Sequence, residues 1–290
     1  MNASTNWKLT LAYDGSGFHG WQIQSAQSGL ATIQGTLADC ILRLTGEHVL
    51  PQGSGRTDAG VHALAQVVTF RLSTPVPAAN LQRALNRILP ARIRVLSCEE
   101  VPHSFHARHS ARSKTYEYRI FERRLAINPA PRTPERICSP FLAPYVWDCH
   151  WPLALEPMQQ AAAVLCGTHD FTSFSASDPD LTQRTAPDDE PAGRDPIKTI
   201  HSSAITRRDD LLVYSVTGSG FLHHMVRNIV GTLVDIGRGA FTAAVMSNIL
   251  AARDRSAAGP TAPPQGLYLA EVIYKSHPDT IHTDDQGDAQ

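Results

Sequence analysis

A chain of 290 residues with 42% hydrophobic composition and a formal net charge of -1 is long enough to bury a large core in one or two domains. It has no run of about 18 apolar residues, which excludes a helical membrane span, and its start, Met1-Asn2-Ala3-Ser4-Thr5-Asn6-Trp7-Lys8, lacks the basic-then-apolar layout of a secretion signal; a cytoplasmic location is the expectation. Cys40, Cys98, Cys138, Cys149 and Cys166 are scattered, with no Cys-x-x-Cys and no histidine at zinc-finger spacing, and read as reduced, mostly buried thiols rather than a disulfide framework or metal ligands.

The alternation Trp7-Lys8-Leu9-Thr10-Leu11-Ala12-Tyr13 predicts a strand, followed by a Gly-rich turn over 14–20. A helix begins at about Thr32, because Ile33, Leu37, Cys40, Ile41 and Leu44 recur at helical spacing until Gly46 stops the pattern. A Gly-rich loop over 53–60, a strand over 66–72, a helix over 78–89 between prolines and strands over 93–101 and 116–120 follow. The second half repeats this grammar with a helix over 158–166, strands over 199–206 and 211–217, helices over 221–236 and 241–253 and a final strand over 267–274. Paired strands separated by single helices predict an α+β fold with antiparallel sheets and helices on one face, in two halves, 1–124 and 125–275. A proline-rich polar loop over 178–196 and a disordered tail over 276–290 complete the layout.

Charge is partitioned along the chain. Residues 1–124 hold 14 Lys and Arg against 8 Asp and Glu. Segment 178–196 holds six acids against Arg184 and Arg194, and the tail holds four aspartates with no Lys or Arg. Outside these two segments the balance is basic, which permits a cationic working surface of the kind a phosphate backbone requires.

The stretch Gly53-Ser54-Gly55-Arg56-Thr57-Asp58-Ala59-Gly60 bends tightly and sets one guanidinium and one carboxylate two residues apart. It matches neither Gly-x-x-x-x-Gly-Lys-Ser/Thr nor the dinucleotide fingerprint, and taken alone it also reads as a hairpin loop whose aspartate caps a turn. Arg227 lies on a helix that is apolar on both sides: Leu222, Met225, Val226, Ile229, Leu233 and Ile236 form one stripe, and Val230 and Val234 lie near the arginine. Such a helix is buried, and an arginine on it requires an anionic partner, since an unpaired buried charge costs several kcal/mol. His62, His106, His223 and His224 show no fixed ligand spacing and read as hydrogen-bonded structural residues rather than metal or acid-base groups. Asp14 reads as the shaper of the turn after the first strand.

Gly55-Arg56-Thr57-Asp58-Ala59-Gly60-Val61-His62 resembles the motif around the catalytic aspartate of the TruA family of tRNA pseudouridine synthases. The same family is matched, in order, by Tyr13-Asp14-Gly15-Ser16-Gly17-Phe18-His19-Gly20-Trp21-Gln22, Phe105-His106-Ala107-Arg108 and Lys114-Thr115-Tyr116-Glu117-Tyr118. Asp170-Phe171-Thr172-Ser173-Phe174, His223-His224-Met225-Val226-Arg227-Asn228-Ile229-Val230-Gly231 and Gly266-Leu267-Tyr268-Leu269 continue the series, so the resemblance spans residues 7–274. Only the acidic loop and the tail depart from the pattern.

The resemblance implies two ferredoxin-like halves with joined antiparallel sheets, an active cleft between them, and a homodimer that works without metal or cofactor. The implied reaction turns uridine into pseudouridine at positions 38–40 of the tRNA anticodon stem-loop. The C1′–N1 bond breaks, the uracil turns over and is rejoined through C5. Carried over by position, Asp58 is the nucleophile or the base that takes a ribose proton, Arg56 guides the target base or anchors a phosphate, and Tyr116 stacks on the uracil while Tyr118 stays in the core. Arg227 becomes the ion-pair partner of Asp58, with another carboxylate as the structural alternative. Two rival classes are a catalytically silent RNA-binding or RNA-folding protein on the same scaffold and a nucleoside or glycoside hydrolase. The first sits poorly with the joint presence of Asp58, Tyr116 and Arg227, and the second generally requires paired carboxylates or a metal.

Overall fold

A computed structural model describes residues 4–24, 29–124, 135–176 and 195–274. The acidic segment, apart from Asp195 and Pro196, and the tail over 276–290 lie outside the described residues.

The elements are β1 (Thr5–Tyr13), α1 (Ile33–Thr45), β2 (Gln52–Gly53), β3 (His62–Leu72), α2 (Ala78–Ile88), β4 (Ile93–Val101), β5 (Ala111–Glu122) and β6 (Trp147–Cys149). They continue as α3 (Leu155–Val164), β7 (Gly167–Asp170), β8 (Ile197–Arg208), β9 (Leu211–Gly218), α4 (Met225–Gly237), α5 (Val245–Ala252) and β10 (Leu267–Tyr274). The class is α+β, as predicted. Among the described residues no helix is long and apolar enough to cross a membrane.

Local chemistry accounts for the element ends. Thr32 caps α1 by accepting the Gly35 N–H at 3.2 Å, a contact whose loss costs about 1 kcal/mol, and Gly46 closes the helix with φ 75. Ile33, Leu37 and Ile41 put the apolar stripe of α1 into the core, each worth about 1.5–3 kcal/mol on full burial. β6 and β7 were not foreseen, because strands of three and four residues leave no readable periodicity. α4 starts at Met225 and not at 221, because His224 takes a left-handed conformation that ends any helical run there. The five cysteines are free as expected, but Cys166 is exposed and only Cys40 and Cys149 are buried.

All ten strands join one sheet, ordered β4-β1-β3-β10-β5-β9-β8-β7, with β2 on β3 and β6 on β5. Pairing is antiparallel except for β10 with β3 and β6 with β5. α2 packs on β4, while α3 packs on β8 and against α4. One apolar cluster runs from Trp7 on β1 to Leu269 on β10. What positions the site is the register around β10: Leu269 pairs with Ala63 of β3 on one side and with Tyr116 of β5 on the other. Two strand spacings of about 4.8 Å therefore separate the start of β3, which the Gly-rich loop feeds, from Tyr116.

Candidate active site

The loop between β2 and β3 is fixed from both sides. Ser54 donates its N–H to Val67 O at 2.8 Å, its hydroxyl meets Gln66 Oε1 at 2.6 Å, and Gln66 Nε2 donates to Gly55 O at 2.8 Å. From the opposite side, Trp21 N–H donates to Thr57 O at 2.9 Å and Tyr13 Oη lies 2.8 Å from Thr57 Oγ1. The glycines of 13–22 permit this approach: a Cβ on Gly15 would stand 2.0 Å from Val61 O, and one on Gly20, at φ 81, would stand 2.7 Å from Thr57 O. The first Gly-rich turn thus serves as the bed of the second. Asp14 shapes it as expected, accepting from Ser16 N–H at 2.9 Å and from Tyr145 Oη at 3.2 Å.

Arg227 donates from Nη1 to Asp58 Oδ2 at 2.9 Å and from Nε to Ala262 O at 2.8 Å. The anion required by the apolar surroundings of α4 is therefore Asp58, and every other residue of that helix is buried. The clamp has its own supports. Ala262 N–H returns a bond to Arg227 O, Tyr118 Oη donates to Pro263 O at 2.7 Å, and Asn228 Nδ2 donates to Phe174 O at 2.8 Å. Gly231 lets the chain lie on α4, since a Cβ there would stand 1.6 Å from Pro260 O. Ser173 adds a bond to Ile249 O at 2.5 Å and accepts from Asp254 N–H at 2.9 Å. The separate strings singled out in the sequence are largely the parts that hold this one pair.

Asp58 faces a cleft of about 1070 Å³, a volume that accommodates a nucleotide unit. Arg56, Arg108, Lys114, Lys198 and Arg227 line it against Asp58 and Asp195. Tyr116 lies in its wall, largely buried, with its ring edge-on to Phe221 at 4.9 Å, while Tyr118 is fully buried on the same side of β5. Arg108 is aimed by its neighbour: Ala107 N–H donates to Thr69 Oγ1 at 3.2 Å and Ala107 O accepts from Tyr274 Oη at 2.7 Å. The cleft thus brings together Asp58, Arg56, Tyr116 and Arg227.

The histidines divide. His62 Nδ1 accepts from Gly15 N–H at 3.1 Å and His106 Nδ1 from Arg108 N–H at 3.0 Å, the structural roles expected. His223 and His224 are different: their Nε2 atoms lie 3.6 Å from Asp58 Oδ1 and 3.3 Å from Asp58 Oδ2. Nothing in the spacing pointed to this, because the contact depends on a left-handed turn before α4. Asp58, His223 and His224 offer one donor atom each within 4.8 Å of one another, a set that suits a divalent cation. Arg227 already sets its positive charge on the same Oδ2, so a cation there would have to displace or repel the guanidinium.

Fold and cleft define an α+β protein with a single arginine-paired carboxylate in a cationic pocket. A family model described as tRNA pseudouridine synthase matches residues 10–110 and 161–275, which include Arg56, Asp58 and Arg227 and leave Tyr116 between the matched segments. The chain is 48% identical over 267 residues to tRNA pseudouridine synthase A of Solibacter usitatus, covering 92% of this chain and 98% of that protein. It is 40% identical over 267 residues to the protein of the same name from Moorella thermoacetica, covering 92% and 98%, and 41% identical over 260 residues to that of Halalkalibacterium halodurans, covering 89% of each. The chain belongs to the tRNA pseudouridine synthase family, a family of isomerases.

Proposed function

We propose that this protein isomerises uridine to pseudouridine at positions 38–40 in the anticodon stem-loop of tRNA, with Asp58 as the nucleophile. The observation that carries this reading is the Asp58–Arg227 pair at 2.9 Å, facing a cleft of about 1070 Å³ beside Tyr116. The guanidinium holds one carboxylate oxygen by a hydrogen bond and so fixes Asp58 in the cleft where attack on the nucleotide would take place. The same carboxylate is placed to remove a ribose proton instead, and a slower rate on tRNA deuterated at the neighbouring ribose carbon identifies that route. Tyr116 supplies a face for the extruded uracil and Arg56 holds the flipped nucleotide from the loop, both by way of the cleft wall they share. Among the described residues the cleft wall carries five cations against two carboxylates, which supports a polyanionic substrate. No metal or cofactor enters the scheme, because one carboxylate with an arginine suffices for an isomerisation that gains and loses no atoms.

The remaining parts of the reading follow the family resemblance: two ferredoxin-like halves with helices on one face, divided near residue 124, assembly as a homodimer, and work in the cytoplasm where its substrate is. Support for a cleft between halves comes from its lining, drawn from the 54–61 loop on one side and the start of α4 on the other. Mapping pseudouridine in tRNA from cells with and without this protein tests the proposal. Loss of pseudouridine at positions 38–40 is the expected result, and an unchanged map at those positions overturns it.

A further inference from the structure

His224 stands one residue before α4 with φ 58 and ψ 4, a left-handed backbone that few residues other than Gly adopt, Asn, Asp and His being the commonest exceptions. Among the described residues only two other non-glycines have positive φ, Asp209 and Arg253, and both sit at exposed turns. Glycine would meet this backbone requirement at least cost, and the imidazole adds nothing to the helix end, since it makes no capping hydrogen bond to α4. What the turn achieves is the aim of the ring. Nε2 of His224 reaches Asp58 Oδ2 at 3.3 Å and Nε2 of His223 reaches Oδ1 at 3.6 Å, with the two rings stacked at 3.9 Å and 27°. Together with Arg227 at 2.9 Å, each carboxylate oxygen thus faces nitrogen from the first turn of one segment. Non-glycine residues held in sparsely populated backbone regions cluster at functional sites.

We propose that His224 is a positioning residue for the reaction: its neutral ring fixes the rotation of the Asp58 carboxylate and, once protonated in acid, locks that carboxylate into an ion pair that withholds it from the substrate. This rests on the reading of Asp58 as the reacting group. The charged or titratable groups facing the ring are Asp58 from the loop, His223 and Arg227 from its own segment and Arg255 from the turn after α5. Burial first, then the positive charges of His223, Arg227 and Arg255, hold the ring below the ordinary histidine value against the opposing pull of Asp58. The ring is therefore neutral at neutral pH, where the tautomer protonated at Nε2 donates toward Asp58 Oδ2, and becomes cationic only in acid.

Two variants separate the ring from the turn. His224→Gln keeps an N–H donor at about the reach of Nε2 but cannot take up a proton, whereas His224→Gly relaxes the backbone and removes the ring. With tRNA as substrate, His224→Gly is expected to lose at least about tenfold in kcat while KM stays within about threefold of wild type. In His224→Gln the acid limb of the pH–rate profile is expected to move to lower pH, because the protonation of His224 that withholds Asp58 is gone. A His224→Gly variant with wild-type kcat, or a His224→Gln variant whose acid limb coincides with wild type, overturns the proposal. Asp58→Ala measured alongside keeps the two readings apart. Turnover by Asp58→Ala sinks the role of Asp58, while an inactive Asp58→Ala beside an unaffected His224→Gly sinks only that of His224.

Discussion

Three side chains from one helix start, His223, His224 and Arg227, surround a single carboxylate from a loop some 165 residues earlier in the chain. Replacing Asp58 with Ala is expected to abolish pseudouridine formation while tRNA affinity stays within about tenfold, a difference of about 1.4 kcal/mol, since phosphate contacts spread over the cleft wall carry binding. A tRNA filter-binding titration with a parallel turnover assay decides this, and loss of binding would give Asp58 a structural role. For Tyr116, the aromatic face and the hydroxyl make different forecasts. Tyr116→Phe should keep most activity and Tyr116→Ala should lose it if the ring stacks on uracil, and equal wild-type activity in both would return the residue to the core. At this scale the sequence was legible where burial imposed a demand: an arginine beside Val230 and Val234, on a helix with an apolar stripe on its other side, had to find an anion. It was not legible for His223 and His224, because their contact with Asp58 depends on a backbone conformation that no residue pattern announces.

The helix α4 is an element whose face is set by glycine as much as by its apolar side chains. Gly231 and Gly259 bring the chain over 259–262 against it, and Ala262 in that stretch holds Arg227 by accepting from its Nε and by donating its own N–H to Arg227 O. Gly231→Ala would place a methyl 1.6 Å from Pro260 O, so the strap must lift or the helix must shift. The expected cost is about 1–3 kcal/mol of stability, as for overpacking a core, together with a fall in kcat because Arg227 loses its backstop. Urea denaturation and a turnover assay on the same preparation check both halves of that statement. Element boundaries were read well where a cap marks them, as at Thr32 and Gly46, and where alternation is long, as in β4 and β10. They slipped at α4, where apolar residues continue the helical spacing upstream of the true start and only the left-handed backbone of His224 shows the break, and at α5, which starts at Val245 rather than at 241.

For the whole molecule, a net charge of -1 conceals a cationic cleft, so tRNA affinity should fall steeply with salt. Each phosphate neutralised contributes a slope of about -0.7 to -0.9 in log affinity against log salt, and a flat dependence would show that the cleft cations do not meet the backbone. Acid is expected to destabilise the fold in two stages. Burial holds His62 and His224 below the ordinary histidine value of 6.5. The unfolded chain therefore binds protons there that the folded chain refuses, and stability falls as pH drops through that region. Asp148, held low by hydrogen bonds from Arg123, and Asp170, held low by the Thr172 hydroxyl, add a second loss below 3.8, as does Asp14, where burial is outweighed by the bonds from Ser16 together with the charges of His62 and Arg92. Tm measured from about pH 8 to about pH 3 should decline at both steps, with His62→Gln flattening the first.

β10 is the last described strand of the chain, yet it lies in the middle of the sheet, paired at Leu269 with Ala63 of β3 and with Tyr116 of β5. On the ribosome, then, the carboxylate loop and the tyrosine exist for most of translation on two pieces of sheet with no strand between them, each presenting an unpaired edge. Arg227 is likewise made before the stretch around Ala262 that clamps it. A nascent chain therefore holds Arg56, Asp58, Tyr116 and Arg227 before it holds the strand that brings the two parts of the sheet together. A chain that stops short of residue 267 lacks the strand that joins β3 to β5, so activity is expected only from chains whose synthesis has passed that point.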